Sequence, residues 1–145
     1  MQEGIEMKHV VLFCGIIITC TLLVSSCIVT SHDFDARVSC DQFADNNHRS
    51  VDFKVEVGDK IRVELCSNPT TGFEWEYEIS STDVLREEDY DFEPPDSDVP
   101  GAAGVETWTF EATATGTSKV DMEYSQPWEG GEKSAWTYTI TVTVE

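Results

Sequence analysis

Residues 136–144 read Trp-Thr-Tyr-Thr-Ile-Thr-Val-Thr-Val, and this strict alternation decides the fold of the chain. Trp136 and Val144 mark the ends of a face made of aromatic and β-branched residues, while four threonines occupy the other face. Because side chains alternate between the two faces of a β-strand, the pattern predicts a strand with one buried side and one solvent-facing side. Such a strand needs a sheet around it and a second layer against its apolar face.

The same period of two recurs upstream of this strand. It runs through residues 51–57 and 60–65, which we expect to form a tight hairpin around Gly58-Asp59. No stretch after residue 26 shows a helical period. Further strands are predicted in shorter runs at residues 75–79, 84–85, 105–114 and 120–124. About seven strands separated by turn signals predict an all-β fold, an immunoglobulin-like antiparallel β-sandwich.

The N-terminal segment has the features of an exported protein. Lys8 precedes an apolar run over residues 10–24, which is typical of the central region of a signal peptide. The run ends in Val-Ser-Ser-Cys at residues 24–27, which resembles the bacterial lipobox, whose cysteine is lipidated and becomes the new N-terminus. An ordinary signal peptide cleaved nearby is the alternative. On either interpretation the mature protein is extracytoplasmic.

This interpretation divides the chain into three parts. Residues 1–26 are a signal peptide of the lipoprotein type, and residues 27–49 are a polar tether anchored through a lipid on Cys27. Residues 50–145 form a single domain. We therefore expect a monomeric lipoprotein held at a membrane, at the cell surface or in the periplasm.

Two cysteines lie beyond the predicted lipidation site. In an oxidising compartment Cys40 and Cys66 favour a disulfide that ties the tether to the end of a strand. Two free thiols are the alternative, because the sequence does not supply the Cα separation that a disulfide requires.

The charge of the chain is strongly acidic, with 28 Asp and Glu residues against 9 Lys and Arg residues and a net charge of −19. This balance argues against nucleic acid as a partner. Many of the acidic residues fall in a predicted loop over residues 87–99, where carboxylates alternate. Alternating carboxylates could bind calcium, but this segment lacks the glycine and glutamate of an EF-hand in register. We expect a solvated acidic loop, no metal and no cofactor.

Catalytic signatures are missing from the sequence. His32 and His48 are the histidines that follow residue 26, and both lie in or beside the predicted tether. A serine triad would lack its Gly-x-Ser-x-Gly elbow. The sequence therefore does not predict an enzyme.

Three connections between strands carry rigid or glycine-rich sequences instead. The first is Asn68-Pro69-Thr70-Thr71-Gly72-Phe73, followed by Glu74 and Trp75; the second is Gly101-Ala102-Ala103-Gly104; the third is Gln126-Pro127-Trp128. Successive loops of a sandwich alternate between its ends, so these three, which follow the second, fourth and sixth predicted strands, are expected at one end. Stiff loops at one end of a scaffold form a binding surface.

In this order and spacing the three segments resemble the chagasin family of cysteine-peptidase inhibitors. The first matches the family motif Asn-Pro-Thr-Thr-Gly-aromatic-x-Trp throughout. The second has Ala103 where the family usually has glycine, and the third has Gln126 in place of arginine. The resemblance implies reversible inhibition of papain-like cysteine peptidases by three loops that enter the active-site cleft. It also implies that Thr71 lies nearest the catalytic cysteine and that Trp128 packs on one flank of the cleft.

A second hypothesis remains open. An immunoglobulin-like surface lipoprotein that binds another ligand, or that has a structural role, would have the same anchor, charge and strands. It gives no reason for the first and third motifs to occur together, and inhibition of papain distinguishes the two hypotheses.

Overall fold

The apolar faces of the alternating runs meet between two β-sheets. The structure is a computed structural model that describes residues 31–96, 99 and 101–145. Its elements are β1 (Asp33–Val38), α1 (Cys40–Asp45), β2 (His48–Val55), β3 (Lys60–Ser67), a 3-10 turn (Pro69–Thr71), β4 (Glu74–Ile79), β5 (Leu85–Glu93), β6 (Gly104–Ala112), β7 (Gly116–Ser125) and β8 (Trp136–Val144).

The eight described strands form two four-stranded sheets with the orders β1-β3-β6-β5 and β2-β8-β7-β4. This confirms the predicted all-β, immunoglobulin-like sandwich. Two strand pairs depart from the antiparallel arrangement of the other pairs, because β1 runs parallel to β3 and β2 runs parallel to β8. Parallel and antiparallel neighbours leave the same period of two in a sequence, so the alternation did not distinguish them.

Strand β8 occupies the position that its sequence predicts. Tyr138, Ile140, Val142 and Val144 are buried, and they pack in one hydrophobic cluster with Trp108 and Phe110 of β6 from the opposite sheet. The threonines of β8 face outward and are only half-buried. The strand lies between β2 and β7, which pair with it along its whole length.

The predicted hairpin around Gly58 is wrong. β2 pairs with β8 in one sheet, whereas β3 pairs with β1 and β6 in the other, so the turn carries the chain between sheets. Asp59 is buried in this turn and accepts hydrogen bonds from the amides of Glu56 and His32, each at 2.8 Å. Burial alone would raise the pKa of Asp59, but these hydrogen bonds hold it below its ordinary value.

Residues 33–47 do not form a tether in this structure. β1 adds an edge strand to one sheet, and α1 then crosses to the other sheet, where β2 begins. Phe43 of α1 is fully buried against the core. Phe34, Ala36 and Val38 alternate with charged residues along β1, a period of two that the sequence analysis missed, whereas the buried residue of α1 is Phe43.

The acidic segment that begins at residue 87 is a strand through Glu93 and not a loop. It belongs to β5, an edge strand that pairs with β6 across a register shift between Glu87 and Asp89. Lys60 of β3 forms an ion pair with Glu88 of this segment at 2.7 Å, and Arg86 of β5 forms one with Glu111 of β6 at 2.6 Å. Carboxylates along an edge strand disfavour pairing with another chain.

The signal peptide and Cys27 lie outside the described residues. Within the part of the chain that the structure describes, no helix is long and apolar enough to cross a membrane. The lipid anchor therefore stays a prediction.

Truncating Phe43 tests whether the N-terminal segment belongs to the domain. Because the ring is fully buried, Phe43→Ala is expected to lower the free energy of unfolding by roughly 3 to 5 kcal/mol. Asp45→Ala, at an exposed position of the same helix, is the control and should change stability by less than about 0.5 kcal/mol. Urea unfolding monitored by fluorescence measures both values. Equal stability of the two variants would mean that α1 does not pack on the core.

Candidate functional site

The three loops with distinctive sequences lie together at one end of the sandwich. Loop 1 (residues 68–73) follows β3, loop 2 (94–103) follows β5, and loop 3 (126–135) follows β7. The Asn68 side-chain amide donates to the Gly101 carbonyl at 2.7 Å, which joins loop 1 to loop 2. The Gln126 side-chain amide donates to the Thr71 carbonyl at 3.5 Å, which joins loop 3 to loop 1. Loop 1 is therefore the middle of a continuous surface.

Loop 1 is held in one conformation by its own polar groups. Asn68 Oδ1 accepts from the Thr70 amide at 3.2 Å and from the Thr70 hydroxyl at 2.6 Å, and the Thr71 hydroxyl donates to the Asn68 carbonyl at 2.6 Å. Pro69 opens the 3-10 turn, and Gly72 closes it in the left-handed region at φ 79°. Both threonine hydroxyls donate their hydrogen to Asn68 within the loop. Each hydroxyl oxygen can therefore act toward a partner only as a hydrogen-bond acceptor.

An aromatic cluster supports loop 1 from below. Tyr124 stacks on Phe73 and on Trp136, with ring centroids 5.3 Å and 4.8 Å apart, and it contacts Trp75 at 5.0 Å. Its hydroxyl also accepts the backbone amide of Asn68 at 2.7 Å. Phe73 is thus half-buried against the core and presents only part of its surface.

The Trp75 indole is hydrogen-bonded to the end of β3, just before loop 1. Its Nε1 donates to the Cys66 carbonyl at 3.0 Å. Cys66 itself forms a disulfide with Cys40 of α1, and their Cα atoms are 5.2 Å apart. The base of loop 1 is therefore fixed from both sheets and from the helix.

Trp128 of loop 3 lies on the backbone of loop 1. Its ring is 49% exposed, and it covers Gly72 so closely that a Cβ atom there would come within 2.5 Å of Cη2. Gly72 therefore has two reasons to be glycine, its positive φ and the contact with Trp128. Pro127 beside it is exposed.

A half-buried carboxylate that holds loop 3, Glu123, was missed by the sequence analysis. The Glu123 carboxylate accepts hydrogen bonds from the Ser125 hydroxyl and from the Ser134 amide, the latter at 3.0 Å. These bonds lower the pKa of Glu123 below its ordinary value. Ser134 has a positive φ of 51°, so this carboxylate holds a backbone conformation that a serine rarely adopts.

Loop 2 reaches the surface through Gly101 and Ala103, which are exposed, while Ala102 is half-buried. Gly101 has φ 86°, a conformation that favours glycine. Gly104 differs from its predicted role because it is buried at the start of β6, where Phe92 and the Glu93 carbonyl leave no room for a Cβ atom. It shapes the loop and does not form part of the exposed surface.

One sequence signal could have located α1. Ser39 and Gln42 form a capping box, in which Gln42 N–H donates to Ser39 Oγ at 3.3 Å and Ser39 N–H donates to Gln42 Oε1 at 2.8 Å. The pattern Ser-x-x-Gln is typical of a helix N-terminus. By contrast, Tyr124 accepts a hydrogen bond from the amide of Asn68 and Glu123 accepts one from the amide of Ser134, and no local sequence pattern marks these contacts.

No group of three or more potential metal ligands occurs among the residues that the structure describes.

Comparison with known proteins identifies related chains. A family model described as "Chagasin family peptidase inhibitor I42" matches residues 54–142. Chagasin of Trypanosoma cruzi is 34% identical over 97 residues, which cover 64% of this chain and 88% of chagasin.

Two solved structures share the fold. The cysteine protease inhibitor EhICP2 from Entamoeba histolytica superimposes with a TM-score of 0.61 at 22% identity, over 80% of this chain and all of that one. PbICP-C, solved in complex with falcipain-2, gives 0.57 at 14% identity, over 79% of this chain and all of that one.

Removing the Tyr124 hydroxyl tests the support of loop 1. Tyr124→Phe keeps the ring stack but leaves the Asn68 amide without its acceptor, so we expect a loss of roughly 1 kcal/mol of stability. Hydrogen exchange at the Asn68 amide should be faster in Tyr124→Phe than in the wild type. Tyr138→Phe, at a buried tyrosine of the neighbouring strand, is the control and should leave that amide unchanged. Unchanged exchange in Tyr124→Phe would contradict the assigned hydrogen bond.

Proposed function

Because the chain belongs to the chagasin family of peptidase inhibitors, we propose that it binds papain-like cysteine peptidases through the surface formed by its three loops. Membership of this family makes the chain an inhibitor and not an enzyme. The proposal concerns the class of peptidase and the residues that touch it: Asn68, Pro69, Thr70, Thr71, Gly72, Phe73, Gly101, Ala102, Ala103, Gln126, Pro127 and Trp128.

One observation carries the proposal, namely that the three loops contact each other and are fixed before any partner arrives. Asn68 joins loop 1 to loop 2, and Gln126 and Trp128 join loop 3 to loop 1. A surface that is already ordered loses little conformational entropy on binding, and the remaining free energy favours the complex. The relative PbICP-C, solved in complex with falcipain-2, has the same fold.

The exposed groups suit a narrow cleft. Thr70 and Thr71 are small, exposed and available as acceptors, so the complementary groups of the peptidase are hydrogen-bond donors. Trp128 offers a large, half-exposed ring on the flank, and tryptophan is enriched among the residues that dominate binding energy. Gln126 brings no positive charge, because its side chain is a neutral amide, and this amide donates to the Thr71 carbonyl.

The acidic composition favours a basic peptidase or a saline environment. The net charge of −19 would repel an acidic partner, and the repulsion would weaken as salt is added. We also propose that the inhibitor is a monomer, held at a membrane by a lipid on Cys27, at the cell surface or in the periplasm.

Inhibition of papain tests the function directly. The purified protein should abolish hydrolysis of a small peptide substrate by papain; full activity at micromolar excess of the protein would refute the proposal. Trp128→Ala and Thr71→Arg should each weaken inhibition by at least about 2 kcal/mol, or roughly 30-fold in the inhibition constant. Thr115→Arg, at an exposed threonine of the opposite end, is the control for added charge and volume. Equal inhibition by all variants would place the contact surface elsewhere.

Fatty-acid labelling tests the anchor. When the full chain is expressed in a bacterium supplied with labelled palmitate, the wild-type protein should carry label and sediment with membranes. Cys27→Ser should lose both properties, because the thiol that accepts the lipid is gone. Equal labelling of the two proteins would contradict lipidation at Cys27, and release of an unlabelled wild-type protein would favour an ordinary signal peptide.

A further inference from the structure

The segment that crosses between the sheets lies at the same end as the three loops. β1 ends at Val38, beside Leu65 near the loop end of β3, and β2 begins at His48, beside Thr137 near the loop end of β8. Residues 39–47 therefore pass across that end of the sandwich. We call them the crossover segment.

The crossover segment is attached firmly to the structures beneath the loops. Phe43 stacks on Trp136 with ring centroids 4.9 Å apart, and it contacts Trp75 at 5.5 Å. The Asn47 side-chain amide donates to the Ala135 carbonyl at 3.3 Å, at the end of loop 3. The disulfide joins Cys40, at the start of α1, to Cys66, which lies two residues before Asn68. Like the loops, this segment is ordered before a partner binds.

A recess opens between the crossover segment and the loops. Its volume is about 430 Å³, near the lower end of the range for small-molecule pockets. It is bordered by Cys40 of the crossover segment, Thr71 and Phe73 of loop 1, Ala103 of loop 2, and Ala135 and Trp136 after loop 3. None of its described lining residues is charged, although the protein as a whole is strongly acidic.

We propose that this recess is a subsite for one apolar side chain from the rim of the peptidase cleft. The inference rests on the proposed inhibitor function and adds a contact that the three loop motifs do not include. Two observations select the occupant. The recess continues directly from loop 1, since Thr71 borders it, so a peptidase that holds Thr71 brings its own surface over the opening. A charged side chain would lose its hydration against an uncharged, partly aromatic wall, whereas an apolar side chain gains by leaving water.

The crossover segment forms one wall of the recess, which the three loops alone would leave open. Cys40 and the disulfide set the position of that wall relative to Thr71. Selectivity among papain-like peptidases would then depend on whether the rim residue opposite the recess is apolar.

Filling the recess tests the proposal with the purified protein and papain. Ala135→Phe should raise the inhibition constant roughly tenfold or more, because the added ring occupies the place of the peptidase side chain. Ala135 suits the test because its amide and carbonyl are both hydrogen-bonded, to Tyr124 and Asn47, so its backbone is held. Ala114→Phe makes the same chemical change at an exposed alanine of the opposite end and should inhibit like the wild type.

A second variant covers the case in which the phenylalanine disturbs folding. Ala135→Asp adds little volume but puts a charge in the recess, and it should weaken inhibition while the melting temperature stays near that of the wild type. Hydroxyl-radical footprinting supplies a measurement without mutation: Trp136, half-buried in the free protein, should become protected in the papain complex.

The outcomes separate the subsite from the function. If the wild type inhibits papain while both Ala135 variants inhibit equally well and Trp136 stays reactive, the subsite is overturned and the inhibitor function stands. If the wild type does not inhibit papain, the proposed function fails, and with it the proposal that a peptidase side chain occupies the recess. If sedimentation shows a wild-type dimer that Ala135→Phe dissociates, the recess holds a second copy of the chain, which also overturns the proposal.

Discussion

The position of loop 1 depends on Tyr124, which joins the loop end of the molecule to its core. The ring belongs to an aromatic cluster with Phe73, Trp75 and Trp136, and the hydroxyl accepts the Asn68 amide at 2.7 Å. The other two loops are attached to loop 1 by hydrogen bonds to Gly101 and Thr71. A displacement at Tyr124 would therefore move the whole surface, because packed aromatic interiors yield little.

The same end of the molecule is closed by the crossover segment. An open sandwich end exposes the edges of its inner aromatic rings, and Phe43 covers Trp136 and Trp75 there. The disulfide between Cys40 and Cys66 links this cover to the strand that leads into loop 1. Support from two sides gives the loops their fixed shape, and it also creates the recess in which a fourth contact is proposed.

Most of the carboxylates described above lie away from the aromatic cluster and from the recess between the loops. The carboxylates of β5 lie on an edge strand, where they are exposed to solvent and where Glu88 forms an ion pair with Lys60. Glu123, like the buried Asp59, has a structural role instead: it lies beneath loop 3 and accepts a hydrogen bond from the Ser134 amide. Acidic residues therefore protect the sheet edge and fix one loop, while the recess between the loops carries no charge among its described residues.

The sequence by itself determined the fold class, the alternation of β8 and the membership of three loops in one surface. The first two are local properties, since a period of two depends on neighbouring residues. The third follows from the order of the predicted strands, because successive loops of a sandwich alternate between its ends. Only the tertiary structure decided the pairing of β2 with β8, the docking of Phe43 and the support of Asn68 by Tyr124. Strand partners leave the same alternation whichever sheet they join, and a single buried ring produces no periodic signal. Contacts between residues distant along the chain are selected by packing, and they become visible only when the two sheets and the crossover segment meet.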